Sequence, residues 1–113
     1  ALNHERVNQP LIDARCLDTG QLYEYKKQSG TQWFDVHKLA RLTEAQRQLP
    51  ILFVVHKGGK LKALYESTYQ GVIDSIGFTA EQWQWARNSP DGVQGKYAFN
   101  LKSIQKFGLL AEA

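Results

Sequence analysis

Methionine is absent from these 113 residues, cysteine occurs once and proline three times. The lone Cys16 has no second thiol to pair with, which argues against an internal disulfide or a cysteine-rich zinc site and favours a reducing compartment. No apolar run approaches the ~20 residues of a membrane span, and the amino terminus lacks a basic stretch followed by an apolar one. A cytoplasmic protein with no membrane partner is therefore expected. With no methionine at residue 1, the chain is also expected to be trimmed, its upstream residues unseen. Charge of one sign is scarcely in excess: 14 Lys and Arg against 11 Asp and Glu leave a net +3, which permits a polyanionic partner without demanding one. What is present is a globular composition. At 42% hydrophobic and 12% aromatic the chain is too apolar for disorder. It is also long enough to bury a core unaided, and one domain over residues 1–113 is expected.

After Pro10, residues 11–16 read as a short apolar strand, and Asp18-Thr19-Gly20 signals a turn into a second strand over 21–27. A period of two there sets Leu22, Glu24 and Lys26 on one face and Tyr23, Tyr25 and Lys27 on the other. The spacing of Val36, Leu39, Ala40, Leu42 and Leu49 predicts an amphipathic helix over 33–49, ended by Pro50. Residues 51–55 are a continuous apolar run, as for a strand buried on both faces. Gly58-Gly59 suits a tight hairpin into a strand over 61–66. A short helix over 68–76 is weakened by Gly71, and Thr79-Ala80-Glu81-Gln82 resembles a capping box opening a helix to about Asn88. Residues 97–101 read as a last strand, and the residues before Pro10 as a short leader.

Asp13 and Glu24, with ten residues between them on adjacent strands of the first hairpin, are the candidate metal anchors. Magnesium keeps several waters and needs only one or two protein carboxylates besides substrate oxygens. Without a cation, two carboxylates about 4 Å apart would repel by roughly 4 kcal/mol at an effective dielectric near 20. Lys26, on the face of Glu24, supplies a point charge to orient water or to stabilise a phosphate. Together these residues suit phosphodiester hydrolysis, with manganese as a substitute for magnesium.

The ordered set of Asp13, Glu24-Tyr25-Lys26, an amphipathic helix and a buried strand resembles the PD-(D/E)xK nuclease superfamily, and within it the small Holliday-junction resolvases of RecU-like or archaeal type. The resemblance covers residues 11–55, with Ile12 standing where the family name wants proline. It implies an α/β, restriction-endonuclease-like core with a mixed central β-sheet flanked by helices. It further implies an endonuclease acting on duplex or branched DNA, and a homodimer, because cutting two strands symmetrically takes two sites. A third acid, often supplied from an amino-terminal helix, falls to Glu5, and Gln28, just past the lysine, is implied as an assisting group. The acid-x-Lys triplet itself is expected roughly once by chance in such a chain, so the order of parts carries the weight.

Lys57, Lys60 and Lys62, with the glycine amides between them, could touch a phosphate backbone or simply keep a hairpin tip soluble; Lys27 joins this basic set. His4, His37 and His56 have no zinc spacing and read as surface or helix-face residues. Trp83 and Trp85 cannot share a helix face, so one is expected in the core and one outside. Cys16 reads as a small core residue. Two other functions stay open: a non-catalytic nucleic-acid-binding module, and a protein-interaction domain using exposed aromatics.

Overall fold

A computed structural model describes residues 4–9, 12–28, 30–89 and 95–112. Six strands form the central sheet: β1 (His4–Gln9), β2 (Ile12–Cys16), β3 (Leu22–Gln28), β5 (Pro50–Lys57), β6 (Lys60–Thr68) and β8 (Gly108–Glu112), ordered β1-β2-β3-β5-β6-β8. Among the described residues only β3 and β5 pair in parallel, and the other pairings in the sheet are antiparallel. A parallel step cannot be closed by a tight turn and needs a crossover. Here the crossover contains β4 (Gln32–Asp35), α1 (Val36–Ala40) and α2 (Glu44–Arg47). The remaining elements are α3 (Tyr69–Ile76), α4 (Ala80–Asn88), β7 (Lys96–Phe99) and α5 (Leu101–Ile104), and β4 pairs with β7 as a separate small sheet.

The expected hairpins are present. The β2–β3 turn closes through the Gly20 N–H to the Cys16 carbonyl at 2.7 Å. At the β5–β6 tip, Gly58 and Gly59 take φ of 58° and 76°, the left-handed region that favours glycine.

The expected helix over 33–49 is instead a strand and two short helices. Trp33 and Phe34 are good strand formers, and pairing β4 with β7 buries Phe34 edge-on against Phe53 and Phe99. Asp35 then caps α1 by accepting the His37 N–H at 2.9 Å. The chain stops again before Thr43, whose hydroxyl and Gln46 form a reciprocal capping box opening α2. The last expected strand ends at Phe99, where Asn100 caps α5. The expected leader contains β1, whose mostly polar sequence needs only one neighbour to pair with.

Register assigns the two faces of the sheet. Glu24 stands beside Ile51 and Lys26 beside Phe53, while Tyr25 stands beside Leu52. Ile51 and Phe53 are fully buried in a cluster with Leu39 of α1, Val72, Ile73 and Ile76 of α3, Ala86 of α4 and Ile104 of α5. Glu24 and Lys26 therefore extend from the sheet face that the helices cover. Among the described residues no helix is long and apolar enough to cross a membrane.

Candidate functional site

The Glu24 side chain is 11% exposed, a burial that an unpaired carboxylate would resist. Its partner is Lys26, whose ammonium lies 2.9 Å from Oε1 and 5.6 Å from the centre of the Phe34 ring. The two side chains line a pocket of about 280 Å³ together with Trp33, Phe34, Asp35, Lys38 and Tyr69. Two residues apart on one strand, Glu24 and Lys26 share a face by the period of two, and the ring of Phe34 sets the lysine's position over that face.

Asp13 reaches the same neighbourhood from β2. Ala14 pairs with Tyr23 and Arg15 with Leu22, so one further step of that register sets Asp13 opposite Glu24. The backbone pairing stops short of that step, and the Asp13 carboxylate accepts the Tyr25 N–H at 3.0 Å. Asp13 remains exposed and borders another hollow, of about 750 Å³, with His4, Glu5, Arg6, Tyr25 and Lys27.

Tyr69 is the site residue that the sequence did not reveal. It begins α3 just after Thr68, whose hydroxyl caps the helix by accepting the Gly71 N–H at 3.0 Å, and its own N–H donates to the Leu49 carbonyl at 3.2 Å. A Cβ at Gly71 would stand 2.3 Å from Ser67 Oγ, so a larger residue there would have to turn that hydroxyl aside. Ser67 pairs with Ile51, which in turn pairs with Glu24, so the tyrosine starts two residues past the row of the carboxylate. Burial, then the neighbouring Glu24 carboxylate, then the charge of Asp13 push the Tyr69 phenol far above its usual pKa. Both acids therefore act on one hydroxyl. The Glu24 carboxylate is the acceptor that this hydroxyl faces, and among the described residues the hydroxyl makes no well-formed hydrogen bond. No local motif marks Tyr69, because its place depends on the register of β6.

The other candidates lie outside the Glu24–Lys26 pocket, Glu5 and Lys27 lining the hollow that Asp13 borders. Glu5 is on β1, opposite Arg15, and its carboxylate is engaged by that guanidinium. Gln28 pairs with Val55 through its backbone, but its side chain lies outside the described residues. Lys57, Lys60 and Lys62 are exposed at the β5–β6 tip. Lys57 stands six residues beyond Ile51 on β5, about 20 Å from the Glu24 row at ~3.3 Å per residue. Lys27 is exposed on the Tyr25 face.

His37 is buried rather than on the surface, its Nδ1 lying 2.9 Å from the Ala86 carbonyl and tying α1 to α4. Trp83 packs against the core and Trp85 is half exposed, the expected split. Cys16 is only partly covered, and hydrogen bonding from Thr19 lowers its thiol pKa.

Among the described residues no group of three or more His, Cys, Asp or Glu gathers as a metal cage. Glu24 and Asp13 are acids of the kind that a hard divalent cation takes, though they line different hollows. Glu24 and Asp13 offer carboxylate oxygens, and Lys26 engages only one oxygen of Glu24. Comparison of the chain with protein-family models and with curated proteins returns no match.

Proposed function

We propose that this chain is a metal-dependent endonuclease of the PD-(D/E)xK type, hydrolysing phosphodiester bonds in DNA, branched DNA included, and working as a homodimer. The observation that carries the reading is the sheltered Glu24–Lys26 pair on β3, with Asp13 on the adjacent antiparallel strand. The surrounding order agrees with a restriction-endonuclease-like core: an acid-bearing hairpin, a crossover with helices, then a buried strand parallel to β3. That order is harder to obtain by chance than an acid-x-Lys triplet.

Glu24 and Asp13 would hold magnesium or manganese, which when bound supplies charge neutralisation at the phosphate and a more acidic water. The chain's own residues have separate tasks. Glu24 presents a carboxylate held by the Lys26 ammonium, so its orientation is set before substrate arrives. Lys26, between Glu24 and the Phe34 ring, places a positive charge beside the pocket to stabilise anionic phosphate oxygens. Asp13, held by the Tyr25 N–H, adds the second negative group. Lys27, Lys57, Lys60 and Lys62 would contact the phosphate backbone away from the reacting bond.

The test is incubation with plasmid and with four-way junctions, with and without magnesium. Wild-type protein is expected to cut only with the metal, and Glu24→Gln to be inactive; equal cleavage by the two would sink the assignment. Salt-sensitive DNA binding with no metal-stimulated cutting would point instead to a non-catalytic binding module.

A further inference from the structure

We propose that the Tyr69 hydroxyl is reserved for the ligand: it donates a hydrogen bond to an anionic phosphate oxygen bound in the Glu24–Lys26 pocket. The proposal rests on the phosphodiesterase reading above and adds a group that reading does not use.

Three observations carry it. The Tyr69 side chain belongs to a residue only 3% exposed, so its hydroxyl has left bulk water. Among the described residues the hydroxyl makes no well-formed hydrogen bond, the acceptor it faces being the Glu24 carboxylate, and a buried polar group left so is uncommon in folded proteins. The same residue lines the pocket that holds Glu24 and Lys26, and at about 280 Å³ this space is slightly smaller than the ~300–1,000 Å³ of pockets that enclose a whole small molecule. It suits one phosphate of a passing chain.

The chemistry selects a donor role. A phenol is protonated at ordinary pH, so Tyr69 offers a donor there rather than a base. It can donate, and an anionic oxygen is the acceptor that gains most from a desolvated donor. Lys26 and Tyr69 would then supply two donors beside the one buried acid, a cationic ammonium and a neutral hydroxyl. Tyr69 begins α3 just past the end of β6, and its side chain lines the pocket.

Tyr69→Phe keeps the ring and deletes only the hydroxyl. Thermal melting of wild type, Tyr69→Phe and Glu24→Gln is compared with and without manganese plus thymidine 5′-phosphate as the phosphate-bearing probe, alongside junction cleavage. A hydroxyl reserved for ligand predicts that free Tyr69→Phe melts at the wild-type temperature or above. It also predicts that the probe-induced rise shrinks and that kcat/KM falls about tenfold. A free variant that melts several degrees lower with an undiminished probe response means that the hydroxyl is structural, and overturns the proposal. An unchanged variant beside an unresponsive Glu24→Gln overturns it too, while leaving the reading of Glu24 intact. If wild type neither responds to the probe nor cuts DNA, the phosphodiesterase reading falls and takes this proposal with it.

Discussion

Strand β3, paired with β5, carries Glu24 and Lys26 into a sheltered pocket, whereas β1 and β2 carry Glu5 and Arg15 at the outer edge of the sheet. Each region pairs a carboxylate with a cation, but the side chains are 11% and 27% exposed in the first pair and 37% and 52% in the second. Water screens the outer pair, so its net value is about 0–1 kcal/mol. The inner pair has lost much of that screening, and removing one partner leaves a charge that the protein must bury alone. A charge pair on an edge strand is thus surface chemistry. The same pair in the central row, beneath a helix start and an orphan hydroxyl, has a cost that function can explain.

The contrast can be broken by substitution, beginning where the effect should be greatest. Phe53→Ala, in the fully buried row beside Lys26, is expected to lower stability by about 4 kcal/mol in denaturant unfolding, and Trp85→Ala by less than about 1 kcal/mol. A small loss at Phe53 would mean that this row does not anchor the core.

Glu24→Gln is next. It is expected to lower metal-dependent cleavage by about 10²–10³-fold, roughly 3–4 kcal/mol of barrier, while Glu5→Gln changes the rate by less than about twofold. Comparable losses at both positions would return Glu5 to the site.

A pH series sharpens the comparison through Tyr69. Its folded pKa is raised above the unfolded value near 10, so the associated stability is fully present below about pH 10 and is lost as pH rises further, at about 1.4 kcal/mol per unit. Urea unfolding from about pH 9 to about pH 11 is expected to show a shallower decline for Tyr69→Phe than for wild type. Identical slopes would place the phenol in water.

The smallest effect belongs to the edge. Arg15→Ala is expected to cost no more than about 1 kcal/mol at low salt and less at high salt, measured by thermal unfolding.

Much of this was legible in the chain wherever local chemistry and burial agree. Asp18-Thr19-Gly20 and Gly58-Gly59 marked turns because their backbone needs are local, and the run at 51–55 marked a central strand because both its faces are covered. The Asp35 cap and the Thr43–Gln46 box were also present in the sequence. The apolar spacing over 33–49 concealed them, since residues from a strand and two helices can face one core. β1 has almost no apolar signal, and β8 is exposed along its whole length, so backbone pairing with a neighbour defines both strands.

By itself the sequence determined the β2–β3 hairpin, the shared face of Glu24 and Lys26 and the buried strand that follows, because turn propensity, strand period and hydrophobicity act over a few residues. Tertiary structure alone decided that β3 and β5 run parallel, that Asp13 bonds the Tyr25 amide and that Glu5 belongs to Arg15. It also brought Tyr69, from beyond β6, to the Glu24 pocket. These are contacts between segments distant along the chain, fixed by register, and no short stretch of sequence contains both partners.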